Sequence, residues 1–136
     1  MKIEIPVLVR SIPLREYAEE LGEAAVWVWV NPPRDFLTEY LALQERAAKA
    51  NAEAEKLAAD DAEAAFAVTA ELSAVGEGFA AWYARLWSQN VDGGTHWTAD
   101  ETRQLAALET DPALYGWLTA RSWALVAEHR SREKKK

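Results

Sequence analysis

The run Ala25-Val26-Trp27-Val28-Trp29-Val30 constrains the fold of this chain more than any other feature. Strict alternation sends Val26, Val28 and Val30 to one side of an extended backbone and Trp27 and Trp29 to the other. Valine and tryptophan both favour strands, so the segment predicts β structure with two apolar faces. Residues 2–9 alternate as well, with Ile3, Ile5, Val7 and Val9 on one side and Lys2, Glu4 and Leu8 on the other. Pro6 lacks an amide donor, which places this strand at a sheet edge or gives it a bulge. A sheet of these two strands can be covered well on one face. The second face has to be buried by a helix of the same domain or by another protein.

The rest of the chain reads as helix. Pro13 opens a short helix through about Leu21, and Gly22 stops it. Asn31-Pro32-Pro33 ends the second strand. Asp35 or a neighbour caps a long helix whose buried stripe is Phe36, Leu37, Tyr40, Leu41, Gln44, Ala47 and Ala48. From Ala47 to Asp61 the sequence is Ala/Glu/Lys-rich. It forms one long exposed helix or a helix–helix connection near Asp60-Asp61, with an acid as the new cap. A second stripe of Ala62, Ala65, Phe66, Leu72 and Val75 leads to Gly76-Glu77-Gly78, which predicts a kink or break. Beyond it Phe79, Trp82, Tyr83, Leu86 and Trp87 share one face and read as core.

Val91-Asp92-Gly93-Gly94 is a turn. Thr98 and Glu101 form a capping box for a helix to about Glu109. Asp111-Pro112 starts a last helix to about His129, with Leu114, Trp117, Leu118 and Leu125 on its stripe and Tyr115, Trp123 and Val126 partly off it. The fold class is α+β, mainly α: a helical body with a small N-terminal two-stranded β element. The expected organisation is one domain over 1–136. It comprises a strand–helix–strand element over 1–31, a helical body over 34–130 and a basic tail over 131–136.

Composition narrows the function. The formal charge of −7 repels a phosphate backbone, and the basic end (Arg130, Arg132, Lys134, Lys135, Lys136) reads as a solvated tail. Absence of cysteine excludes disulfides and thiolate metal sites. No run approaches the roughly 18 apolar residues of a membrane span, and residues 1–6 do not resemble a signal peptide. A soluble, cytoplasmic protein is expected, with no membrane partner.

No catalytic constellation emerges, so no enzyme, cofactor or metal site is expected. His96 and His129 lack a second ligand at useful spacing and read as helix-terminus residues. The acid clusters Glu19-Glu20, Asp60-Asp61-Glu63 and Asp100-Glu101 read as solvated helix ends. Gly76-x-Gly78 lacks the third glycine and the Lys-Ser/Thr of a phosphate loop. Asp92-Gly93-Gly94-Thr95 lacks the alternating ligands of a calcium loop.

Taken together, "IPLREY", "VWVWVNPP", an Ala-rich helix, "WYARLWSQ", "THWTADE" and "DPALYGWL…RSWALVAEHR" resemble the tail assembly chaperones of long-tailed bacteriophages, over Ile12 to Arg130. The resemblance implies a non-enzymatic, oligomeric protein that binds and solubilises the tape-measure protein, with the tail tube protein a further partner, in the host cytoplasm. It also implies a frameshifted longer product, for which the consecutive lysine codons at 134–136 could supply a slippery site. Candidate contact residues are Trp27 and Trp29, the off-stripe aromatics Tyr115 and Trp123, and the Ala/Glu-rich helix. The alternative is a nucleic-acid-binding regulator or packaging protein. It would use residues 98–130 as a helix-turn-helix-like element, with Arg121, Arg130 and Arg132 on phosphate.

Overall fold

The computed structural model describes residue 3 and residues 5–23, 25–87 and 110–135. It is mainly helical, with a small two-stranded antiparallel sheet near the N-terminus. In order come strand β1 (Val9–Pro13), two 3-10 turns (Leu14–Glu16 and Glu19–Leu21), strand β2 (Ala25–Trp29), and helices α1 (Arg34–Glu55), α2 (Ala62–Trp87) and α3 (Pro112–Lys135). The chain divides into two compact units. One comprises Met1–Pro32 with Tyr83–Lys136, and the other Pro33–Trp82.

In the first unit β1 and β2 pair antiparallel, from Val9 opposite Trp29 to Pro13 opposite Ala25. The first strand therefore lies later than the alternation at 2–9 predicts. It can be paired only where β2 lies opposite, and β2 gives way to Asn31-Pro32-Pro33. Ile3 and Ile5 are left 80% and 77% exposed. The helix expected from Pro13 to Leu21 is instead two 3-10 turns, because Ala18 between them is extended (φ −153°, ψ 126°). So short a segment gains too few bonds to repay helix nucleation. Gly22 ends it at φ 59°, a backbone region that favours glycine.

Helix α3 packs against both strands. Its buried positions Leu114, Leu118, Ser122 and Val126 repeat every fourth residue, so Val126 belongs to the core stripe. Tyr83, Ala84, Leu86 and Trp87 from the end of α2 are buried in the same unit. The Trp87 indole donates to Ser122 Oγ at 2.9 Å, and Ser122 donates to Leu118 O at 2.8 Å, so this polar side chain enters the core with its bonds made. Asp111 Oδ1 accepts from Leu114 N–H at 3.1 Å, the expected cap. The helix runs on to Lys135 rather than ending near His129 in a separate tail. The Arg132–Glu128 pair bridges one turn of it at 2.5 Å.

The second unit is an antiparallel helical hairpin, which decides between the two arrangements open for the Ala-rich region. Phe36 stacks on Trp82 (4.4 Å between centroids) and Tyr40 meets Phe79 edge-on (5.2 Å), while farther along α1 Arg46 reaches Glu71. Partners thus descend α2 as α1 ascends. Asp61 caps α2 by accepting from Ala64 N–H at 3.0 Å, and Pro33 takes the cap position of α1.

The inner stripe of α1 is Phe36, Tyr40, Leu43, Ala47 and Ala50. Leu41, Gln44 and Ala48 of the expected stripe are exposed, Leu41 by 58%. On α2 Val68 and Val75 are buried, while Ala62, Ala65 and Phe66 are exposed, Phe66 by 78%. No break occurs at Gly76–Gly78. A Cβ at Gly78 would lie 2.6 Å from Leu43 Cδ2, so the glycine serves close helix–helix approach instead.

Candidate protein-binding face

The two-stranded sheet has unequal faces. Ile12, Val26, Val28 and Val30 are buried on one side. Cross-strand partners share a face, so Trp27 opposite Ser11, Trp29 opposite Val9 and Ala25 opposite Pro13 form the other. There Trp27 and Trp29 are half-buried and Ser11 is exposed. The small Ser11 leaves the Trp27 indole without a bulky cross-strand neighbour. Ahead of β1, Ile3, Ile5, Val7 and Leu8 are exposed as well.

The four candidate contact residues fall into two pairs. Trp27 and Trp29 stand side by side on the half-covered sheet face, two positions apart on β2. Tyr115 and Trp123 converge on Tyr83. Tyr115 meets the Tyr83 ring edge-on at 6.0 Å and the Trp87 ring likewise at 6.0 Å, and Trp123 Nε1 donates to Tyr83 Oη at 2.8 Å. Both remain half-buried, with internal partners. Trp117 likewise meets Tyr17, at 5.5 Å.

Sequence reasoning missed two exposed side chains, Leu41 and Phe66, by assigning both to buried stripes. The available signal was the heptad run of Phe36, Leu43 and Ala50 facing Val68 and Val75.

The Ala-rich part of the hairpin encloses a groove of about 750 Å³ lined by Ala50, Leu57, Ala64 and Val68 together with Arg46, Lys49 and Lys56. Its lining also includes Glu53 and Glu71. Arg46 donates through Nε and a terminal nitrogen to Glu71 Oε1 at 2.9 and 2.6 Å.

Among the described residues no group of three His, Cys, Asp or Glu side chains could hold a metal ion, and no helix is long and apolar enough to cross a membrane. Asp61 serves as a helix cap, and Gly76 and Gly78 lie inside α2 and make no phosphate loop. His129 lies half-exposed on α3. His96, the turn at 91–94, the capping box of Thr98 and Glu101, and Asp100 lie outside the described residues. So does the first half of the helix-turn-helix-like element. In its second half Arg121 reaches Glu16 at 3.2 Å, and just past its end Arg132 reaches Glu128, which engages two of the three arginines offered to phosphate. Comparison with protein-family models, with curated proteins and with solved structures finds no match.

Proposed function

We propose that this protein is a phage tail assembly chaperone that binds the tape-measure protein through apolar contacts and keeps it soluble until the tail tube encloses it. The observation that carries this reading is the sheet face on which Trp27 and Trp29 remain half-exposed, together with the exposed Ile3 and Ile5 that precede β1. Large aromatic side chains held on a rigid strand provide contact area at little cost in conformational entropy. The net charge of −7 supplies the repulsion that keeps a coated helical chain dispersed. The sequence resemblance to tail assembly chaperones from Ile12 to Arg130 supports the choice of partner.

The test is co-expression with a tape-measure fragment encoded by the same genome. The wild-type chain should raise the soluble fraction of the fragment and co-purify with it. The Trp27→Ala/Trp29→Ala variant should lose both effects while keeping its helical circular dichroism. Unchanged solubility with the wild-type chain would reject the chaperone reading. An active double variant would reject the tryptophan face as its contact surface.

A further inference from the structure

The hairpin groove has an apolar floor and a cationic rim, in a part of the chain that is otherwise strongly acidic. Ala50, Leu57, Ala64, Ala67 and Val68 supply the apolar lining, and the volume of about 750 Å³ falls in the range of small-molecule sites. Residues 33–82 carry four cations and ten carboxylates. Three of the cations, Arg46, Lys49 and Lys56, line the groove, but only two of the acids, Glu53 and Glu71, do so. Charges scattered for solubility alone would bring more acids than cations to any one face.

Arg46 is held by Glu71, its Nε and a terminal nitrogen both donating to Oε1. That pair ties α1 to α2. Lys49 and Lys56 are exposed and make no ion pair among the described residues, with Glu53 or any other acid. They stand two helical turns apart, on α1 and at its C-cap, and so project from the same side of the helix. Lysine stems cover apolar surface while their ammonium groups stay in water, so the two widen the floor and charge its rim together.

We infer that this groove binds a single-chain amphiphile with one negative charge, of the long-chain fatty carboxylate class. Its alkyl chain lies on the small apolar residues, and Lys49 and Lys56 meet its carboxylate. From Arg46 to Lys56 the lining runs about 15 Å along α1 at 1.5 Å per residue, close to the length of an extended twelve-carbon chain. Alanine at Ala50, Ala64 and Ala67 leaves the room that larger side chains would fill. Three cations against two carboxylates leave one positive charge in excess, which matches a monoanion and disfavours a dianion beside Glu53. The site shares no residue with the tryptophan face and stands whether or not the tape-measure protein is the partner.

Isothermal titration calorimetry of the full chain with dodecanoate, below its micelle concentration, tests it. Dodecanoate should bind one to one and about tenfold tighter than dodecyltrimethylammonium, which carries the same chain under a positive charge. Lys49→Glu/Lys56→Glu should weaken dodecanoate about tenfold and strengthen the cation, a reversal that loss of folding would not produce. Ala64→Leu, which fills the groove, should weaken both ligands with helical circular dichroism intact. Absence of dodecanoate binding, equal affinity for the two ions, a preference for dodecanoate that survives the double charge reversal, or undiminished binding in Ala64→Leu would each overturn the proposal. So would loss of binding in Trp27→Ala/Trp29→Ala, which would move the ligand to the sheet face.

Discussion

At its base the α1–α2 hairpin stacks Phe36 on Trp82 and lays Tyr40 against both Trp82 (4.8 Å) and Phe79. At its tip Ala50, Ala64, Ala67 and Val68 line a groove. The two ends of the hairpin differ in what fills the interface. Burial stabilises in proportion to apolar area removed from water, so the base carries most of the hairpin's stability and the tip relies on helix propensity. Spacing specifies that the two helices meet; side-chain volume specifies how firmly.

The largest effect should come from the base. Trp82→Ala removes the stacked ring and the indole donor to Phe36 O at 2.8 Å. It should cost about 3–5 kcal/mol in chemical denaturation. A cost below about 1 kcal/mol would mean that the aromatic base does not hold the hairpin. The tip should respond in the opposite direction. Ala64→Leu adds apolar bulk to a groove lined by Ala50 and Val68 and should raise stability by about 1 kcal/mol, read as a higher melting temperature. A loss would show the tip to be already full.

A third experiment sharpens the contrast through glycine. Gly76 is exposed inside α2 with nothing near its missing Cβ, so Gly76→Ala should gain about 0.5–1 kcal/mol from helix propensity. At Gly78 the added methyl must displace Leu43, and Gly78→Ala should fall short of that gain by about 1 kcal/mol. Equal gains in thermal melts would show that Leu43 yields freely and that helix approach there is loose.

The same contrast explains what the sequence disclosed. Strand β2 was legible because Val-Trp alternation is unambiguous, and Val26, Val28 and Val30 are the buried set. The aromatic face of Trp82, Tyr83, Leu86 and Trp87 was legible because bulky residues at helical spacing leave one solution. In the Ala-rich stretch every face looks alike, so Leu41 and Phe66 were assigned inward on size while Leu43 and Val68 took those places. The shift of β1 was hidden for another reason: alternation fixes which side a residue faces, and the reach of its partner fixes where pairing stops. Of the candidate site, the tryptophan face could be placed from β2 alone. The Tyr83 contacts of Tyr115 and Trp123 could not, because they depend on pairing residues 32 and 40 positions apart.

The smallest predicted effect bears on whether the tip is open. Arg46 and Glu71 stand 2.6 Å apart at the groove with side chains 50% and 44% exposed. Two half-solvated charges gain little over their hydration and lose side-chain entropy on pairing. Glu71→Gln should therefore cost no more than about 0.5 kcal/mol at low salt, and the difference should vanish toward about 1 M salt, where screening reaches contact distances. A loss of about 2 kcal/mol or more that persisted in salt would mean that the pair is sealed from water. The tip would then be a closed, tightly packed end like the base, and the gradient along the hairpin would disappear.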